Sequence, residues 1–453
     1  VSALLGQGLR SRNFAVTLVL TVGDFYASTT TASMTVTVTP QSNATAALST
    51  AATLMTVALN GQDSVSMMRT VGSVLPTVNV VNCTAAQSCG SLNREDCQFT
   101  RNTCGKCLSG YVGVSGDANL PCQLPSIVRG AGETCTSSSQ CSSGRCVSGV
   151  CQSVGKTCVN GCSGAGSCLA FDLENKAVSS CAYDSSLCQV RCQCNDGRFG
   201  RDCALTISQY QQLISFRDRL CSNLYSTLSF QDLTDAIIRA RAAIVTDILV
   251  DLDVVSTSAV MNCSAVLVKT IQTAPALSCD GGTATVMTQA LSQVLQVFSG
   301  NNALSSTPSS SELLSDIQQA ISTLSLGCQT LLALGETPVS IASPNVRIVS
   351  MITDQLGLAG LQLQSSQSAL DILRNQPRNV LDIETSDWIT ASQAAGLSLI
   401  QYTNNPLGLS SNSSNVQFQA TVYGNTVNRI GDRGKEDGDG EGPVISFRGR
   451  SFY

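Results

Sequence analysis

Eighteen of the 22 cysteines fall between Cys83 and Cys203, and this concentration constrains the fold more than any other feature. A stretch so dense in cysteine and so poor in large apolar side chains cannot build an adequate hydrophobic core, and is held by covalent cross-links instead. Such links persist in an oxidising environment, so the chain is expected to be extracellular or at the cell surface. The four dispersed cysteines, Cys221, Cys263, Cys279 and Cys328, are again an even set, as expected if all pair locally.

The 453 residues include no histidine. That removes the commonest general base, the commonest zinc ligand and the base of the Ser-His-Asp arrangement together. The chain is accordingly expected to be no enzyme and to need no cofactor. A net charge of -5 speaks against nucleic acid or an anionic membrane surface as partner. Only 13% of residues are charged, about half the usual ~25% of a soluble domain, with Ser, Thr, Asn and Gln making up the difference. A surface of that kind is either glycosylated or covered by neighbours. No run reaches the ~18–20 apolar residues that span a bilayer, so no membrane contact is expected within this segment.

Phe14, Val16, Leu18, Leu20 and Val22 alternate as the face of a strand, and Met34, Val36 and Val38 repeat the pattern beyond Gly23 and Asp24. A strand fits Phe14 to Val22 better than a signal-peptide core, because Thr and Ala interrupt it. These read as the closing strands of a sandwich over 1–41, similar to immunoglobulin or PKD domains, in a chain expected to be a piece of a longer protein. A helical pair broken at Asn60 and Gly61 forms a connector over 42–80.

By spacing, the cysteines form three modules: 81–126, with NTCGKCLSGYVG at its centre; 127–154, with GETCTSSSQCSSGRCVSGVC; and 155–204. CVNGCSGAGSC and CQCNDGRFGRDC in the third give it a clear likeness: it resembles an epidermal-growth-factor-like (EGF-like) domain. The family's pairing implies Cys158 with Cys168, Cys162 with Cys192, and Cys194 with Cys203. The departure from the family is a long loop holding Cys181 and Cys188, which most simply pair with each other.

From Ile207 the apolar spacing turns helical. Leu213, Phe216, Leu220 and Leu224 mark one helix; Leu233, Ile237, Ile244, Ile248 and Leu252 a second, behind Ser229 and Asp232 as cap; Met261, Leu267 and Ile271 a third. Val286, Ala290, Val294 and Val297 mark a fourth. A fifth carries Leu314, Ile317, Ile321, Leu324, Cys328 and Leu331 between a Ser309 or Ser310 cap and Gly335. The bundle spans 205–336, with two internal disulfides and its acidic residues on the solvated face. Short apolar runs over 337–453, split by Asn, Pro, Gly and Ser, predict a β-sandwich. This order, with LSLIQYTNNPLG near the middle of the sandwich, resembles the GAIN domain of adhesion receptors and polycystin-type proteins over about 205–453. The family's self-cleavage motif, His-Leu followed by Ser or Thr, cannot occur here. The fold class is thus a multidomain mixture of sandwich strands, disulfide-rich modules, helical bundle and β-sandwich.

Other motifs carry little chemistry. Cys104 and Cys107 have the C-x-x-C spacing of a zinc or redox site, but no second matching pair accompanies them, and structural disulfides are the better reading. Asp437, Asp439 and Glu441 begin like a calcium loop, yet its twelfth position is Arg448, so a hairpin tip is expected. QSVGKT, ahead of Cys158, lacks the acidic group of calcium-binding EGF-like domains, and no metal is expected. Gly281 and Gly282 lack phosphate-loop context, and Trp388 fits packing better than a ligand platform. Asn43, Asn82, Asn262 and Asn412 each begin an N-x-[ST] sequon, and at least two are expected to carry N-linked glycans.

Together these features predict a non-enzymatic structural or adhesive protein. Its central disulfides would form a stiff rod within a cell-surface assembly such as a filament or flagellar hair (mastigoneme). Its partners would be other copies or other extracellular proteins. The alternative is the ectodomain of a polycystin-like or adhesion-type membrane receptor.

Overall fold

The structure, a computed structural model, describes residues 8, 13–23, 28–39, 44–79, 81–98, 100–113, 116–124, 129–141, 143–172, 176–182, 188–300, 308–367, 380–383, 394–402, 416–422 and 425–430. Two compact units are present, Val1–Phe216 and Arg217–Tyr453.

In the first unit, β1 (Ala15–Gly23) and β2 (Thr29–Thr37) form an antiparallel hairpin with Val16 opposite Val36 and Leu18 opposite Met34. Neither strand carries a charged residue, and Val19, Leu20, Val22 and Met34 are exposed. Helices α1 (Ala44–Asn60) and α2 (Ser64–Val78) follow as an antiparallel pair. Ala51, Met55 and Ala58 recur at helical spacing on α1, and Met67, Val71, Val74 and Val78 on α2, giving each helix a buried stripe. Asp63 caps α2, its Oδ1 accepting the Ser66 N–H at 2.9 Å. Short strands stitch the cysteine stretch: β3 (Cys146–Val147) with β4 (Val150–Cys151), β5 (Gly166–Asp172) with β6 (Ala177–Val178) and β7 (Cys188–Cys194), and β8 (Arg198–Phe199) with β9 (Leu205–Thr206). The last hairpin runs into α3 (Ile207–Ser226), whose Tyr210 stacks on Phe199 at 4.4 Å.

The second unit contains α4 (Asp235–Ile248), α5 (Thr257–Thr273), α6 (Thr283–Gly300) and α7 (Pro308–Thr330). Two cap expectations are corrected. The side chain of Thr234, not Ser229, receives the Ile237 N–H, because Thr227–Ser229 is spent on a separate 3-10 turn. Helix α7 begins at Pro308, whose fixed φ suits a first helical position, so Ser309 and Ser310 lie inside the helix. The helix ends at Thr330, short of Gly335.

Two disulfides lock the bundle: Cys221 of α3 to Cys263 of α5, and Cys279 in the turn Leu277–Gly282 to Cys328 of α7. Gly327, beside Cys328, lets α7 pass close to the preceding chain; a Cβ there would lie 2.4 Å from the Pro275 carbonyl oxygen.

Beyond the bundle, β10 (Val339–Ala342), β11 (Val346–Asp354), β14 (Ala394–Tyr402), β15 (Val416–Val422) and β16 (Asn425–Ile430) form an antiparallel sheet in that order. Its strands β11 and β14 are covered on both sides. Leu363 of β12 (Leu361–Gln364) and Ile383 of β13 (Val380–Ile383), a separate hairpin, pack with Val349, Leu397, Leu399 and Ala420 on one face. On the other face Ser325 and Gln329 of α7 reach Ser350 and Ser398, at 3.1 and 2.6 Å. A Cβ on Gly396 would collide with Gln329 Oε1, so glycine there makes room for that side chain. Burial on both faces shows in β14, where every residue from Ala395 to Ile400, Ser398 included, is buried. The weak strands β13 and β16 escape the sequence reading, and the run Val444 to Phe447, Trp388 and the acidic loop at Asp437, Asp439 and Glu441 lie outside the described residues.

The acidic residues of the bundle are not all on its solvated face. Asp247 on α4 is half-buried, and burial pushes its carboxyl up to about 6. A carboxyl whose folded-state value is raised costs stability when ionised, and the cost is relieved as pH falls through about 6. Calorimetry is therefore expected to show Asp247→Asn raising the bundle's unfolding temperature at pH 7, by an amount equivalent to at most ~3 kcal/mol. The same variant should show a smaller gain in stability than the parent between pH 7 and 5.

Candidate functional site

All 22 cysteines are paired, and within 83–203 no disulfide crosses from one of the three segments to another. The first segment holds Cys83–Cys97, Cys89–Cys104 and Cys107–Cys122; the second Cys135–Cys146 and Cys141–Cys151. In the third, Cys158 is bonded to Cys168, Cys162 to Cys192, Cys181 to Cys188, and Cys194 to Cys203. Cys168 stands opposite Cys192 in the β5–β7 ladder, and each is bonded to a cysteine of the preceding turn, Cys158 and Cys162. Each disulfide of this kind adds ~2–4 kcal/mol. The buried centres of the second and third segments are largely cystine: Cys135, Cys141 and Cys151 in one, Cys158, Cys162 and Cys203 in the other. Clusters of three sulfurs with metal-site spacing are these same disulfide sulfurs.

The first segment adds a charged centre that the sequence reading missed. Arg94 is fully buried, and its guanidinium donates to the carbonyls of Leu120, Gly105 and Gly116 at 2.5, 2.9 and 2.9 Å. Burial pulls its pKa down to about 10, and the charge of Asp117 opposes that shift. Burial likewise raises the Asp117 carboxyl, which accepts the Thr100 hydroxyl at 2.6 Å. One arginine here draws three loop carbonyls inward, a task a hydrophobic side chain could not perform.

The first and third segments touch, a contact that the spacing of the cysteines does not announce. Asn102 Nδ2 donates to Asn160 Oδ1 at 3.2 Å, Arg201 Nη1 to Thr100 Oγ1 at 3.4 Å, and Arg101 Nε lies 3.6 Å from Asp202 Oδ2. The second segment meets the first elsewhere, where Gln123 Nε2 donates to the Cys141 carbonyl at 2.5 Å.

On the third segment this contact falls on a run of left-handed backbone. Asn160, Gly161, Cys162 and Ser163 have φ of 49°, 54°, 54° and 53°. Such a conformation costs an L-residue with a Cβ roughly 1–2 kcal/mol. Asp202 holds the turn down: its Oδ2 accepts from Asn160 Nδ2 at 3.2 Å and from Ser163 Oγ at 3.1 Å.

Of the sequon asparagines, Asn82 is exposed, with its Oδ1 accepting both the N–H and the hydroxyl of Thr84. Asn262 is half-buried on α5 between Met261 and the bonded Cys263, and its sequon partner Ser264 is fully buried. Asn43 and Asn412 lie outside the described residues.

No protein-family model and no curated protein matches the chain. Among solved structures, the full extracellular region of zebrafish Gpr126/Adgrg6 is similar at a TM-score of 0.27 and 9% identity. The match covers 45% of this chain and 26% of that one, so the chain spans about a quarter of its length. The disulfides themselves place the protein in the extracellular, disulfide-rich class. Among the described residues no helix is long and apolar enough to cross a membrane.

Two substitutions probe the framework. Arg94→Leu strands three carbonyls and is expected to lower the stability of the first segment by roughly 3 kcal/mol or more, read by denaturant titration without reductant. At Gly166 a Cβ would sit 2.6 Å from the Gln193 carbonyl oxygen and 2.8 Å from Cys203 Sγ. Gly166→Ala should therefore scramble the third segment, seen as non-native pairs in mass spectrometry of unreduced peptides.

Proposed function

We propose that the protein is a non-enzymatic extracellular structural or adhesive component, a building block of a cell-surface assembly such as a filament or flagellar hair. The observation that carries this reading is the 83–203 stretch, nine disulfides closing three small segments, the second and third with cystine at the buried centre. A part built this way resists unfolding and proteolysis without a large core, and suits a spacer that bears load between domains. On this reading its third segment is an EGF-like module, and 205–453 is a GAIN-like pair of subdomains.

The partners are other copies of the chain or other extracellular proteins, with N-linked glycan at Asn82. Support for covered surfaces comes from β1, β2 and α1, which together contain no charged residue and expose Val19, Leu20, Val22, Met34, Leu54 and Val57. Uncharged strand edges and apolar patches of this kind are what assembled chains cover.

One observation favours a second reading, the ectodomain of a polycystin-like or adhesion-type membrane receptor. It is the order of helical bundle and then a sheet packed between α7 and a β-hairpin. Electron microscopy of native material separates the two. Repeated copies in contact along an axis are expected for the building block, and isolated monomers under native conditions speak for the receptor.

A further inference from the structure

We propose that the contact between the first and third cysteine segments is a releasable clasp, which gives the spacer two lengths without breaking a disulfide. It is held by polar contacts. Two arginines reach across in opposite directions: Arg101 of the first segment to Asp202 of the third, and Arg201 of the third to Thr100, whose hydroxyl is itself held by Asp117. Asn102 and Asn160 bridge the space between them.

The covalent map leaves this contact free to open. No cystine joins the two segments, and the third segment's buried cluster contains no residue of the first. Arg201 is exposed and Arg101 partly so, and the one ion pair, Arg101 with Asp202, is weak beside a disulfide and open to screening by salt. Meanwhile each segment is locked inside its own cystine loops, the longest in the stretch joining Cys162 to Cys192. Tension along the chain therefore falls first on the clasp. Opening it lets the first and third segments part, while the segments themselves keep their folds.

The left-handed turn supplies the return. Asp202 receives Asn160 and Ser163 and also faces Arg101, so one carboxylate both holds the turn and completes the clasp. Asn160 in turn offers its Oδ1 to Asn102 from the left-handed run that also holds Cys162, bonded to Cys192. The third segment's half of the clasp is thus preformed and survives opening.

The role as a two-length spacer rests on the load-bearing reading above, but the clasp itself can be tested in a chain that never assembles. Small-angle scattering of the full chain, with peptide mapping on the same samples, compares the parent with Arg101→Glu, Arg201→Glu and the double variant. The expected result is a larger maximum dimension for the double variant, an intermediate one for each single variant, the same extension of the parent at high salt, and an unchanged disulfide map. Equal dimensions for parent and double variant at low and high salt would overturn the proposal. Should the variants misfold, the parent stretched by its ends decides: a reversible lengthening at low force supports the clasp, and a rigid response up to helix unfolding rejects it. Failure of the assembly reading would show separately, as monomers in microscopy with the scattering change intact.

Discussion

Covalent closure of short loops is the constraint on which the 83–203 stretch depends. With cystine taking up much of its interior, each segment has little else to bury, and beside Val112 the larger side chains that go inward, Arg94 and Gln123, are polar. Arg94 is the clearest case: a buried cation is tolerated because three carbonyls of cystine-closed loops converge on it. The disulfides hold those loops in place, and the arginine satisfies the oxygens that the loops would otherwise leave without donors. Remove either and the other loses its reason.

In the second unit the balance is the reverse. A conventional apolar core does most of the holding, and the two cystines join α3 to α5 and the turn at Cys279 to α7. Where α7 crosses the sheet, however, the contact is a polar row, Ser325 and Gln329 over Ser350 and Ser398. Small hydroxyls let the helix approach closely, and Gly396 completes the recess. Their mutual hydrogen bonds fix where along the sheet the helix rests, which apolar contacts alone specify less sharply.

Much of the element order was legible in the residues because it follows from period and spacing. The helices stand out by their 3.6-residue repeats, the sheet strands by short apolar runs between turn residues, and the cysteine stretch by clustering. What escaped depends on contacts distant in sequence. Thr234 could have been read as a cap, since it directly precedes Asp235 and the apolar stripe, but Ser229 and Asp232 offered the same pattern five residues earlier. Strands β13 and β16 are short and carry polar residues, and are strands only because a partner lies beside them. Arg94 and Asp202 look like ordinary surface charges. Their roles come from loops folding over one and a strained turn leaning on the other, and composition has no mark for either. Nor does the sequence carry a signal for Asn102 meeting Asn160.

The locality of the cystines has a consequence for how such a chain is made. Between Cys83 and Cys203 no bond reaches further than the 30 residues from Cys162 to Cys192, and none leaves its segment. Each segment can therefore find all its partners while the next is still being synthesised, and domains that fold as units during synthesis are the ones least exposed to mispairing. A secretory compartment receiving 22 thiols in one chain meets them as a succession of small, separable problems, each closed before the next begins.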